Sequence, residues 1–341
     1  MRIATYNVEW FNALFDDLGR PLDDAEWSAR YKVTRGDQLT ALGIVFSALD
    51  ADAVLVVEAP DQNGRRSTVT ALENFALLIG LRARRAVIGF ANDTQQELAL
   101  LYDPDVLTAR HDPQGDPMPG GVGVPRFDGI FRIDLDIDDH ADRVQFSKPP
   151  LEVELTTKAG RVLRLIGAHL KSKAPHGAKG RDETLRIAIA NRRKQLAQAV
   201  WLRQRIAAHL EVGDALIVLG DLNDGPGLDE YEHLFGRSSL EIITGEGQET
   251  ALTLFDPHAH GALTQRIGAI HTTARFYIRD KKRYMQALLD YILISPDLMA
   301  RRPVWRIWHP FDDPGCWDNR DLREALLAAS DHFPVTLDLE L

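Results

Sequence analysis

Cysteine is almost absent: Cys316 is the only one in 341 residues. That excludes an intramolecular disulfide and any metal cluster built on thiolates. No apolar run approaches the roughly 18 residues that a membrane-crossing helix needs. The start, MRIATYNVEW, carries no apolar stretch behind basic residues, so a secretory leader is not expected. A cytoplasmic protein fits these shortages, as does an exported chain already trimmed of its leader. A solenoid period, a low-complexity tract and a clear linker are missing too. The acidic loop at 134–143 is the single candidate boundary, and short strands resume directly after it. One domain spanning residues 1–341 is therefore expected.

An excess of positive charge is also lacking. Forty Lys and Arg face 50 Asp and Glu, a formal net charge of -10. This argues against a protein whose whole surface wraps nucleic acid. It leaves room for an enzyme that keeps its positive charge in one groove. At 45% hydrophobic and 26% charged residues, the composition is that of a globular protein rather than a disordered or fibrous one.

What is there alternates between strands and helices. Strands are predicted at Ile3–Phe11, Ala51–Ala59, in QELALLYDP as far as Tyr102, at Arg161–Leu170, Asp214–Asp224, Leu288–Ser295 and Ser330–Leu339. Helical spacing of apolar residues predicts helices within 26–49, over Val69–Ile79, over Glu183–Leu210 and around Leu322–Ala328.

Several of these very apolar strands end in residues that are costly to bury: Asn7 with Glu9, Glu58, His169, Asp221 with Asn223, Asp290, and Asp331 with His332. A carboxylate beside a buried strand must be paired or hold a metal, because its desolvation penalty is otherwise large. Recurrence at six strand ends suggests convergence on one site, and ligand sites in layered α/β folds commonly lie there. Carboxylates and an amide without thiolates are hard donors, suited to Mg²⁺ or Mn²⁺ rather than structural Zn²⁺. Two histidines in such a set can donate to a phosphate oxygen or balance its charge. No nucleophile–base pair of the serine or cysteine type is evident.

The ordered segments ATYNVEWF (4–11), VVEA (56–59), GAHLKSK (167–173), GDLND (220–224), LDYILIS (289–295) and SDHFPV (330–335) together resemble the endonuclease/exonuclease/phosphatase superfamily. They match its bacterial nuclease-like branch and cover the chain from end to end. The resemblance implies an α/β fold, a four-layer α/β/β/α sandwich of two mixed β-sheets covered by helices. It also implies roles. Glu58 looks like the principal metal ligand, with Glu9 and Asp331 as carboxylates near the metal. Mg²⁺ is the expected ion, with Mn²⁺ or Ca²⁺ as alternatives. Asn7 resembles the residue that positions a carboxylate or contacts phosphate. Asp221 resembles the carboxylate that orients or deprotonates water, with Asn223 beside it. His332 resembles the phosphate-binding histidine, oriented by Asp290. His169 resembles a second histidine acting toward the leaving oxygen, and Tyr102 a phosphate-contacting tyrosine. The reaction implied is in-line attack of activated water on phosphorus, without a covalent intermediate.

Basic residues gather in two places: Lys171 and Lys173 with Lys179 and Arg181, and Arg275, Arg279, Lys281, Lys282 and Arg283 before the Asp290 strand. Convergence of the strand ends would bring both near the site as a phosphate track. Arg192 lies where related bacterial nucleases often place an arginine that orients a loop or carboxylate. The aromatic group Trp305, Trp308, Phe311 and Trp317 is expected to pack a sheet rather than to stack bases. His258 and His260 beside Asp256 do not form a convincing ligand pattern. The expected activity is thus that of a nuclease on DNA or RNA, from a monomer without a stable protein partner. Lipid or inositol phosphates and small phosphodiesters are the alternative substrates, and a catalytically inactive binding module is the remaining class.

Overall fold

The computed structural model describes residues 1–116, 123–133, 142–175, 177–225, 236–264, 271–278 and 282–341. The proposed boundary falls mainly outside them, as do Arg279 and Lys281 of the second basic cluster. In chain order the elements begin with β1 (Arg2–Asn7), α1 (Arg35–Leu49), β2 (Ala53–Ala59), α2 (Thr68–Ile79), β3 (Arg85–Ile88), β4 (Glu97–Tyr102) and β5 (Leu107–His111). There follow β6 (Phe131–Ile133), β7 (Asp142–Val144), β8 (Leu151–Thr157), β9 (Val162–His169), α3 (Arg181–Glu211), β10 (Leu216–Asp221), α4 (Ser239–Thr244) and α5 (Pro257–Thr264). The last part contains β11 (Ala274–Ile278), β12 (Arg283–Ala287), β13 (Asp290–Ile294), β14 (Val304–Ile307), α6 (Pro314–Asp318), α7 (Arg320–Ala329) and β15 (Val335–Asp338).

Two mixed sheets form the centre. One has the order β14-β15-β1-β2-β4-β3 and the other β13-β10-β9-β8-β5. Each is antiparallel except for one parallel pair, β1 with β2 in the first sheet and β9 with β10 in the second. These strands are buried on both faces, which explains their nearly unbroken apolar runs. One core cluster joins inward residues of both sheets, such as Leu55 and Leu219, to Trp201 and Leu202 of α3. The other joins the outer face of the first sheet to Leu42 of α1, Phe75 of α2 and Leu326 of α7. Helix, sheet, sheet and helix therefore stack in four layers, as the resemblance implied.

Two glycines allow the close approaches that this stacking needs. A side chain at Gly167 would meet Leu55 Cδ1 of the facing sheet at 2.4 Å. At Gly220 (φ +131°) it would meet the Ala168 carbonyl oxygen at 2.0 Å, within the central parallel pair.

Two expected boundaries shift for local reasons. The first strand stops at Asn7 rather than Phe11, because Trp10 turns into the left-handed region (φ 61°) and caps a short 3₁₀ turn, Phe11–Leu14. Helix α1 starts at Arg35 rather than near residue 26. Thr34 and Asp37 form a capping box there, each satisfying a backbone N–H that the helix start leaves open.

Candidate active site

The parallel pairs place the polar residues. In register, Asn7 lies level with Val57, and Glu58 follows one residue on. In the other sheet His169 and Asp290 flank Asp221 on the two neighbouring strands. The two sheet ends touch: Asn7 Nδ2 donates to Asp221 Oδ2 at 3.1 Å, a buried hydrogen bond between sheets. Asn223 holds the same carboxylate twice, with its backbone N–H on Oδ1 (2.8 Å) and its Nδ2 on Oδ2 (3.1 Å). It does so from a left-handed conformation (φ 50°), which asparagine tolerates better than most residues. Glu58 is also left-handed (φ 60°), at a bulge between Val57 and Ala59. Bulges re-aim side chains beside functional sites.

Two histidines stand on either side of Asp221. His169 Nε2 is 3.7 Å and His332 Nε2 4.0 Å from Asp221 Oδ2, and His169 Nε2 is 4.0 Å from Glu58 Oε1. His332 Nδ1 lies 2.8 Å from Asp290 Oδ2. Asp290 is itself held by the Thr273 hydroxyl, which accepts from its backbone N–H at 3.0 Å. Ser330 ties the last segment to the first: its hydroxyl donates to the Asn7 carbonyl (2.7 Å) and accepts from the His332 N–H (3.1 Å).

The environment sets the charges. Burial pushes the Asp221 carboxyl up to about 7, although His332 opposes this and Asp290 reinforces it. Burial works against a charge on His332, but Asp290 outweighs it and holds the imidazole well above its ordinary value. His169 goes the other way, pushed well down by burial and by Lys148. One histidine is therefore built to be charged and the other neutral, the separation expected of groups with different roles.

Lys148 is the functional candidate that sequence reasoning missed. Its ammonium lies 3.2 and 3.3 Å from the two ring nitrogens of His169, and burial lowers its pKa while Glu58 and Asp221 raise it. The available signal was a lysine in FSKPPL, fixed by two prolines ahead of a buried strand.

Asn7, Glu9, Glu58, His169, Lys171, Lys173, Arg192, Asp221, Asn223, Asp331 and His332 all line one groove of about 1100 Å³, together with Lys148. Within it the basic residues differ. Buried Asp224 binds Lys173 Nζ at 2.6 Å and Arg192 Nη1 at 3.3 Å, so Arg192 ties Asp224 to α3 and Lys173 ties it to the segment after β9. Lys171 is half-buried in the groove wall. Both carboxylate oxygens of Glu9 are engaged, one by Trp10 Nε1 (2.9 Å) and the other by Arg30.

Two expected residues are not brought to the groove. Tyr102 pairs with Ala53, at the other end of β2 from Glu58. At about 3.3 Å per residue that is roughly 17 Å away, and its ring packs on the core instead. The strand was foreseen, but it runs antiparallel to β2 and delivers Glu97, not Tyr102, to the site end. Arg275 lies on β11 with its guanidinium 3.4 Å from the centre of the Tyr284 ring.

Hard donors suit a divalent cation here. Asp221, Asp290 and His332 offer ligand atoms within 4.8 Å of one another. The Asp290 Oδ1 and Asn7 Oδ1 atoms are buried without a hydrogen-bond partner, an arrangement that calls for an ion or water. Beside them Glu58 is held by Gln96 Nε2 through Oε2 (2.7 Å). A candidate metal-binding cluster of this kind supports a metal-dependent hydrolase.

The chain belongs, more narrowly, to the Endonuclease/Exonuclease/phosphatase family, whose model matches residues 4–332. No curated protein matches it. Among solved structures it resembles a 3' phosphatase from Neisseria bound to a product DNA hairpin, at 16% identity and a TM-score of 0.50 with both chains fully covered. Similar too are family proteins from Bacteroides thetaiotaomicron (15%, TM-score 0.50, 99% and 96% covered) and Bacteroides vulgatus (14%, TM-score 0.50, 99% and 98% covered). At these identities the likeness concerns the fold.

Proposed function

We propose that the protein is a divalent-metal-dependent nuclease that hydrolyses phosphodiester bonds of DNA or RNA. The observation that carries this reading is the Asn7–Asp221 contact between sheets, with a neutral and a charged histidine on either side of the carboxylate. Glu58, with Asp331 also lining the groove, would hold Mg²⁺ or Mn²⁺, and the bound ion would supply Lewis-acid stabilisation of phosphate charge. Glu9 is then a supporting carboxylate, tied to Arg30.

Asp221 is the general base. Asn7 and Asn223 fix both its oxygens, and its raised pKa matches it to removing a proton from water near neutral pH. The charged His332 donates through Nε2 to a non-bridging phosphate oxygen while Asp290 holds the ring. Neutral His169 and the Lys148 ammonium face the leaving oxygen, and Lys148 supplies the positive charge. Lys171 contacts an adjacent phosphate. Lys173 and Arg192 act indirectly, through Asp224. The product DNA hairpin bound by the Neisseria 3' phosphatase supports choosing nucleic acid over other phosphodiesters.

Incubation with supercoiled plasmid and Mg²⁺ or Mn²⁺, beside the Asp221→Ala variant, tests this. Metal-dependent nicking by the parent alone is the expected result. Silence of the parent on plasmid, linear DNA and RNA would sink the nucleic-acid reading and turn attention to lipid and small phosphodiesters.

A further inference from the structure

The hairpin β11–β12 has two unlike faces. Side chains alternate across a strand pair, so Phe276, Ile278, Met285 and Ala287 line the groove, with the Phe276 ring edge-on to His332 at 5.5 Å. On the other face Tyr277 pairs with Tyr284, and a ladder of rings and guanidinia begins. Tyr277 and Tyr284 meet at 5.2 Å, Arg275 lies over Tyr284 at 3.4 Å and reaches Phe311 at 5.5 Å. Phe311 meets Trp317 at 6.4 Å, and Arg323 covers Trp317 at 4.7 Å. These rings are not core. Tyr277 and Tyr284 are each 53% exposed, Trp317 50% and Phe311 39%.

We infer that this ladder is a stacking platform for an unpaired stretch of the nucleic-acid strand whose scissile phosphate occupies the catalytic groove. The inference rests on the nuclease reading. Open aromatic faces interleaved with guanidinia suit flat bases on an anionic backbone, and stacking tolerates any base. Charge points the same way: Arg275, on the ring face, pairs with no carboxylate among the described residues, on a chain of net charge -10. Continuity does too, since Tyr284 is the immediate neighbour of Met285 in the groove wall. The platform adds a single-strand preference that the catalytic groups do not supply.

The test is fluorescence anisotropy of a labelled oligothymidylate, and of a duplex of equal length, with EDTA present to prevent cleavage. Parent protein is compared with the Tyr277→Ala/Trp317→Ala double variant. Loss of two stacking partners should weaken single-strand binding by roughly tenfold or more and leave duplex binding unchanged. Equal loss on both probes, or loss on neither, overturns the platform. Plasmid nicking by the same two proteins keeps the readings apart. A parent that binds single strands through these rings but cuts nothing defeats the nuclease reading alone; a parent that cuts while the double variant binds normally defeats the platform alone.

Discussion

The two ends of the paired sheets both carry charge, and they handle it in opposite ways. At the end away from the groove, Asp50, Asp52, Asp103 and Asp338 are each answered by an arginine. Arg2 binds Asp338 at 2.8 Å, and Arg82 binds Asp50 at 2.6 Å, Asp52, and Asp103 at 3.2 Å. At the groove end, Glu58, Asp221 and Asp290 have no arginine partner among the described residues. Amides and histidines hold them, the Lys148 charge acts on Glu58 without a direct bond, and one Asp290 oxygen has no partner among the described residues. A buried carboxylate without a full counter-charge costs stability. The far end is arranged for the fold, and the groove end keeps its charge available for a cation and a phosphate.

Removing the base should have the largest effect. Asp221→Asn keeps the shape of the hydrogen-bonded cluster and removes the proton acceptor. Metal-dependent cleavage should fall by roughly 10²–10⁴-fold, with a melting temperature no lower than the parent's. A variant that unfolds instead would place Asp221 with the structural acids. Lys148→Met should cost about ten- to a hundredfold in turnover through lost charge stabilisation, and steady-state kinetics should show the loss in kcat more than in KM. The far end should respond the other way. Arg82→Ala leaves three carboxylates without their shared partner, and because that arginine is part-exposed the cost is about 1–2 kcal/mol. That is a drop of a few degrees in Tm, with unchanged activity per folded molecule.

A smaller effect tests the charge state itself. Asp221 has its pKa raised to about 7 and His332 has its pKa raised as well, so the fold favours the proton-bound form of both. The Asp221 contribution to stability is present below the ordinary carboxylate range and is lost as pH rises through about 7; that of His332 is present below the ordinary imidazole value and is lost as pH rises above it. Metal-free protein should therefore melt at a lower temperature at pH 8 than at pH 6, and Asp221→Asn should flatten part of that slope. A parent slope of opposite sign, not shared by the variant, would contradict the assignment.

Much of this contrast was legible in the residues. The strand-end rule singled out Asn7, Glu58, His169, Asp221, Asp290 and His332 because polar residues after apolar runs stand out; the groove is lined by all of them except Asp290, which sits behind His332. It misplaced Tyr102, because strand direction within a mixed sheet depends on a pairing that no local pattern encodes. It passed over Lys148, whose chemistry arises only when a loop folds against a strand distant in sequence. Arg275 was expected to join a phosphate track at the site, yet the alternation of a short hairpin turns its side chain away from the groove and over Tyr284. The aromatic group divides: Trp308 is buried as packing predicted, while Phe311 and Trp317 stand exposed.

Mn²⁺ titration followed by electron paramagnetic resonance tests the contrast most directly, on the parent, Glu58→Gln and Asp52→Asn. The expected result is Mn²⁺ bound by the parent and by Asp52→Asn but weakened at least tenfold in Glu58→Gln. No binding by the parent, or binding that survives Glu58→Gln and is lost in Asp52→Asn, would contradict a metal site at the groove end.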